Sequence, residues 1–213
     1  MIVVVVGLAV FAFKDEVFNI LLFPCHGGLI PMATDISTQF VAHISMSIYV
    51  GLLISSPYVM YELFRFVSPA LYDKERRYSI TFTIILYVLF ILGVVLSYFV
   101  IFPFSCQFLA NYSVSQQVTT MVTLDSYLSM FISMSLTMGV VFELPIVSFL
   151  LAKWGLLAPS TMRRYRRHAF VIILLLAAII TPPDATTLFL MSIPLYVLYE
   201  ISVIVVSLTD KHK

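Results

Sequence analysis

An all-α polytopic membrane protein, with six transmembrane helices in a curved bundle, is the fold this sequence predicts, and three observations carry it. Hydrophobic residues make up 61% of the chain and charged residues 11%, with a mean hydropathy of +1.04, whereas a soluble domain is near half apolar and a quarter charged. The charges gather in a few breaks between long runs almost devoid of them. If every run crosses the bilayer, the basic residues divide eleven to one between the two sides, the asymmetry that marks the cytoplasmic face. The 213 residues suit a single integral membrane domain of five or six spans, at about 20 residues per span. The net charge of +1 says little about partners, because sidedness is more informative than the sum.

The runs poor in charge cover residues 1–13, 40–64, 79–102, 126–152, 169–180 and 186–208. The second, third, fourth and sixth are long enough to span. The first and fifth have only 13 and 12 residues, roughly 18 to 20 Å of helix against a hydrocarbon core of about 30 Å. No Lys or Arg precedes the first run and no small-x-small cleavage site follows it, so it is not read as a secretory signal. A first helix truncated on its N-terminal side is expected instead. The fifth run, set between RRYRRH and TPPD, is either a re-entrant hairpin or a short span around which the bilayer thins.

Charge sidedness favours the span. With six crossings, the breaks at residues 65–78, 153–168 and 209–213 share one side. They hold Arg65, Lys74, Arg76, Arg77, Lys153, Arg163, Arg164, Arg166, Arg167, Lys211 and Lys213, while the other side holds only Lys14. Both termini are then expected in the cytoplasm.

Several chemistries are excluded by what the chain lacks. It has no GxxxxGK[ST] phosphate loop, no HExxH and no GxSxG, so an ATPase and a zinc or serine intramembrane protease are not expected. No enzymatic activity, metal, cofactor or nucleic-acid partner is expected either. His26, His43, His168 and His212 fall at the ends of runs or in water-facing segments and read as interfacial residues. No internal repeat is obvious, which counts mildly against transporters built from inverted halves.

The break at residues 66–77, FVSPALYDKERR, stands out. With Arg65 it packs six charges into thirteen positions, a compact mixed-charge loop containing proline, and such loops face water and meet partners. Further on come FELP at residues 142–145, RRYRRH at 163–168, TPPD at 181–184 and IPLYVLYEI at 193–201. In this order and spacing, across nearly the whole chain, they resemble the TatC family, the multispanning receptor subunit of the twin-arginine protein translocase. That family normally begins with a short cytoplasmic segment rich in Glu and Arg, whereas this chain starts inside the first helix. The resemblance implies a signal-peptide receptor and translocase core that exports folded proteins using the proton-motive force. It implies residence in the bacterial inner (cytoplasmic) membrane, or an organellar counterpart, within a hetero-oligomeric complex. The implied partners are small single-span subunits of the TatA and TatB type and the twin-arginine signal peptides of folded cargo. Read without the family, a proton-coupled small-molecule transporter using Glu143 and Asp184 is the alternative.

Recognition of paired arginines needs carboxylates, because guanidinium forms charge-assisted, often bidentate bonds with them. Asp73, Glu75 and Glu62 are the candidates on the basic side. The resemblance picks out Glu75, with Arg76 beside it. Taken alone, Glu75 reads rather as a surface partner of Arg76 or Arg77, a weak pairing, and only the resemblance reverses that reading. Phe66, Pro69 and Leu71 are expected to shape and anchor the loop, proline by fixing the backbone and the apolar pair by dipping into the interface.

Glu143 is the most costly residue in the chain, since an ionisable group inside a span is penalised by about 2.5–3.5 kcal/mol on insertion scales. A face toward protein or a water-filled cavity is therefore expected. Ser126, Ser129, Ser133 and Thr137 follow helical spacing, and Glu143 lies roughly 80° from Ser133 at about 100° per residue. Together they read as helix-to-helix hydrogen bonding or as a wet face where a polar partner segment docks. Pro183 and Asp184 sit on the tight turn of TPPD, where aspartate is also a standard turn and N-cap residue. Pro57, Pro145 and Pro194 are expected to kink their helices. Cys25 and Cys106 both fall on the outer side, where a bridge could form, but the sequence does not fix their separation.

Overall fold

The structure is a computed structural model that describes residues 2–22, 31–33, 35–67, 79–111, 122–181 and 185–210. The helices in chain order are α1 Ile2–Phe11, α2 Lys14–Leu22, α3 Thr38–Val67, α4 Ser79–Leu96, α5 Phe102–Asn111, α6 Leu124–Val141, α7 Leu144–Lys153, α8 Pro159–Arg164, α9 Arg166–Ile180 and α10 Ala185–Asp210. A π turn, Ser97–Ile101, joins α4 to α5. Each of the six predicted runs falls on helix. Among the described residues four stretches are long and apolar enough to cross a membrane: Thr38–Arg65, Ile80–Leu109, Leu124–Lys153 and Ala185–Thr209. The two short runs correspond to α1, with 10 residues, and α9, with 15. All-helical secondary structure is what a bilayer demands, because a helix satisfies its backbone groups within one segment.

The chain divides into two compact units, Met1–Val88 with Leu109–Ile132, and Leu89–Phe108 with Ser133–Lys213. In the first, α1 crosses α3 where two glycines meet. A Cβ on Gly51 would stand 2.8 Å from Gly7 Cα, so the backbones touch with no side chain between them, as small residues allow in membrane helices. Phe11 stacks on the His43 ring at 3.9 Å, which places this histidine inside the helix packing rather than at a free interface. Tyr49 meets Phe131 edge-on at 5.4 Å. The Tyr127 hydroxyl donates to the Leu21 carbonyl across 3.0 Å, fixing α2 against α6. Pro57 continues α3 without a break. Having no N–H, it cannot bond the Leu53 carbonyl, and the Ser56 hydroxyl donates to that oxygen at 2.7 Å instead.

In the second unit α7 and α9 both pack on α10, around a core that includes Met134, Met138, Ile146, Ile173, Ala177, Met191 and Leu195. The α4 and α6 backbones touch here: a Cβ on Gly93 would fall 2.5 Å from the Met138 carbonyl oxygen. The π turn has a sequence cause. Pro103 follows it, and a proline ring collides with the carbonyl four residues back. Widening the preceding turn relieves that collision. The Phe102 N–H then donates to the Ser97 carbonyl, and Ser97, Ile101 and Phe102 are all buried.

Candidate functional site

Pro145 sets up the first candidate site. It lacks the N–H that would bond Val141, so the fourth run breaks into α6 and α7 at Phe142 and Glu143. Glu143 occupies the N-cap of α7 with φ −78° and ψ −11°. Its N–H donates to the Val140 carbonyl at 3.1 Å, and its own carbonyl accepts from Ile146 and Val147, each at 3.0 Å. The backbone of the acid is thus held from both sides while its side chain is free to turn inward. Glu143 is 8% exposed, and among the described residues neither carboxylate oxygen has a hydrogen-bond partner.

Two other buried polar groups of the same unit share that condition, the hydroxyls of Ser97 and Ser105. The contrast with other buried hydroxyls is informative. Ser55, Ser202 and Thr181 each donate to the carbonyl four residues back, at 2.6 to 2.8 Å, the usual solution inside a membrane helix. Glu143, Ser97 and Ser105 do not use it, and among the described residues their buried polar atoms are left without a hydrogen-bond partner. Ser97 and Ser105 were not anticipated from sequence; the signal was Pro103 between them, which marks the altered helical turn.

The predicted polar stripe does not share this burial. Ser126, Ser129 and Ser133 are exposed and Thr137 is half-buried. Ser135 is the fully buried serine of α6. At about 100° per residue Glu143 lies roughly 80° from Ser133 and roughly 80° from Ser135 in the opposite sense. The periodicity was therefore ambiguous, and packing places the acid with the Ser135 side.

A second arrangement lies at the arginine-rich end. Arg166 Nη2 donates to Glu200 Oε2 at 2.7 Å, and the Tyr196 hydroxyl donates to Glu200 Oε1 at 3.2 Å. Tyr199 donates to the Met162 carbonyl at 2.7 Å, and Arg163 Nη2 to Ser207 Oγ at 3.2 Å. The tyrosines and acid of IPLYVLYEI therefore clamp α8 and the start of α9 onto α10. A half-exposed ion pair such as Arg166–Glu200 contributes only about 0–1 kcal/mol, but the three contacts that cross to α10, from Arg166, Met162 and Arg163, together fix the register of the segment.

The remaining candidates fall elsewhere. Pro69, Leu71, Glu75 and Arg76 lie outside the described residues, as do Pro183 and Asp184, and the Phe66 side chain is likewise not described. Glu62, on the last turns of α3, pairs loosely with Arg65 at 3.8 Å. Cys106 is buried and Cys25 lies outside the described residues. His168 meets Tyr165 edge-on at 5.3 Å.

Comparison with known proteins places the whole arrangement. The family model described as "Sec-independent protein translocase protein (TatC)" matches residues 1–194. A protein of that name from Desulforapulum autotrophicum is 35% identical over 207 residues, 95% of this chain and 76% of the relative. Its Escherichia coli K12 namesake is 32% identical over 205 residues, 94% of this chain and 79% of that one. A crystal structure described as "Twin Arginine Translocase Receptor- TatC" superposes with a TM-score of 0.85 at 32% identity, covering 98% of this chain and 93% of that chain. With a match over most of its length and a shared helical fold, this chain belongs to the TatC family of Sec-independent protein translocase proteins, as an integral multi-pass membrane protein.

Proposed function

We propose that this chain is the signal-peptide receptor and core subunit of a twin-arginine translocase in the bacterial inner membrane. It carries folded proteins across using the proton-motive force and works in a complex with small single-span subunits of the TatA and TatB type. The supporting observation is the family match over residues 1–194, joined to a solved relative whose name is that of a receptor. In this reading Glu75, with Phe66, Pro69, Leu71 and Arg76, forms the cytoplasmic surface that reads the signal. Glu143 docks a polar group of a partner helix, and Ser133 and Thr137, on the more exposed face of α6, are a separate candidate surface for the same partner. Pro183 and Asp184 form an outer turn, and both termini lie in the cytoplasm.

The decisive experiment supplies this chain, with cognate partner subunits, to cells deleted for their own family member. A folded reporter bearing a twin-arginine signal should be exported, and the same reporter with twin lysines should be exported poorly. Uptake of a small solute without any export would instead support the transporter reading. The membrane arrangement is tested separately. Single cysteines at Arg164 and Asp184 should react with an impermeant thiol reagent from opposite sides, as the basic asymmetry requires. Labelling of both from one side would make the fifth run re-entrant.

A further inference from the structure

Four arginines stand within five positions where α8 gives way to α9, and the protein uses only two of them. Arg163 is held by Ser207 and Arg166 by Glu200. Among the described residues Arg164 and Arg167 have no hydrogen-bond or ion-pair partner for their side chains, and both are exposed. Helical geometry explains the division. Arg166 shares a face of α9 with Ile173 and Ala177, seven and eleven positions on, both of which are buried. Arg167 is turned about 100° from it and heads a different column, Val171, Leu175 and Ala178, all exposed. In a membrane protein that apolar column faces acyl chains. With 15 residues α9 rises about 22 Å, less than the hydrocarbon core of about 30 Å, so the arginines at its start hold its first turn at the headgroup layer and the bilayer thins around the helix.

We propose that Arg164 and Arg167 bind the phosphate of an anionic phospholipid whose acyl chain lies along Val171, Leu175 and Ala178. Guanidinium is matched to phosphate in geometry and charge. The column beneath Arg167 supplies what a free phosphate ion would not use, and it selects lipid over an acidic protein segment, which would need a polar surface there. A bound lipid would anchor the segment that α10 clamps from the other side through Arg163 and Arg166. The proposal rests on α9 lying in the bilayer and is independent of signal-peptide recognition.

Native mass spectrometry tests it on the full chain released from phosphatidylcholine vesicles containing a minor fraction of phosphatidylglycerol. The wild-type protein should retain phosphatidylglycerol with a preference on the order of ten- to thirtyfold over its share of the vesicle, from two basic groups at the surface. In R164Q/R167Q the preference should fall to within about threefold of that share. Neither change touches the Arg163–Ser207 or Arg166–Glu200 contacts, and R167Q alone should give an intermediate loss if the double variant is poorly produced. Glycerophosphoglycerol, the same headgroup without acyl chains, should not displace the lipid. Undiminished retention in R164Q/R167Q, displacement by glycerophosphoglycerol or inorganic phosphate at equal concentration, or capture of an acidic peptide in place of lipid would each overturn the proposal.

Discussion

Glu75→Lys is expected to abolish crosslinking of a twin-arginine signal peptide while the protein still inserts and accumulates. A carboxylate that receives a guanidinium contributes about 1.5–3 kcal/mol, and the lysine replaces that attraction with repulsion. Signal affinity should therefore drop on the order of ten- to hundredfold. Glu75→Ala removes the attraction alone and should be milder. The substitution falls in a charged break of the sequence and leaves every apolar run intact, so a folding defect is not an expected route to the loss. A coupling measurement sharpens the assignment. If Glu75 contacts an arginine of the signal, Glu75→Ala should add little further loss for a twin-lysine signal that already binds poorly. Unchanged crosslinking of the twin-arginine signal in Glu75→Lys would remove Glu75 from the recognition surface.

The outline of the fold was legible because lipid imposes so strict a rule: a chain crossing it must be apolar and helical over a known length. All six helical runs could be marked from charge spacing, including α9, too short to be recognised by length. The helix α2 was not marked, since Lys14, Asp15 and Glu16 at its start read as a break. Its place is set by the bond from Tyr127 to Leu21, more than a hundred residues apart in sequence. Interior details failed for a related reason. Hydropathy says which residues avoid water, but inside a bilayer both the lipid face and the protein face avoid it. Ser133 and Ser135 are therefore equivalent to a helical wheel and only packing tells them apart. Likewise IPLYVLYEI was legible as a family motif, whereas the role of Glu200 as the partner of Arg166 needed the fold. Pro57 and Pro145, alike in sequence, have different outcomes: a nearby serine bonds the orphaned carbonyl in α3, whereas the chain breaks before α7.

That break is what makes Glu143 testable. The acid is held at a helix junction, 8% exposed, with both carboxylate oxygens unpartnered among the described residues. An intramembrane acid left so is costly by about 2.5–3.5 kcal/mol on insertion scales, so Glu143→Leu should insert at least as well as the wild type. Any loss of function then reports on lost contact rather than lost protein. If a partner helix supplies the missing hydrogen bond, worth about 1–2 kcal/mol in model membrane helices, leucine should weaken partner crosslinking roughly five- to thirtyfold and export should fail with it. Glu143→Gln keeps the shape and the hydrogen bonding but cannot ionise, and should retain much of both activities. A proton-carrying role predicts a different pattern, with glutamine as defective in export as leucine while partner crosslinking survives in Gln. Wild-type export and crosslinking in Glu143→Leu would refute docking and proton transfer alike, leaving the acid as a polar residue facing a cavity.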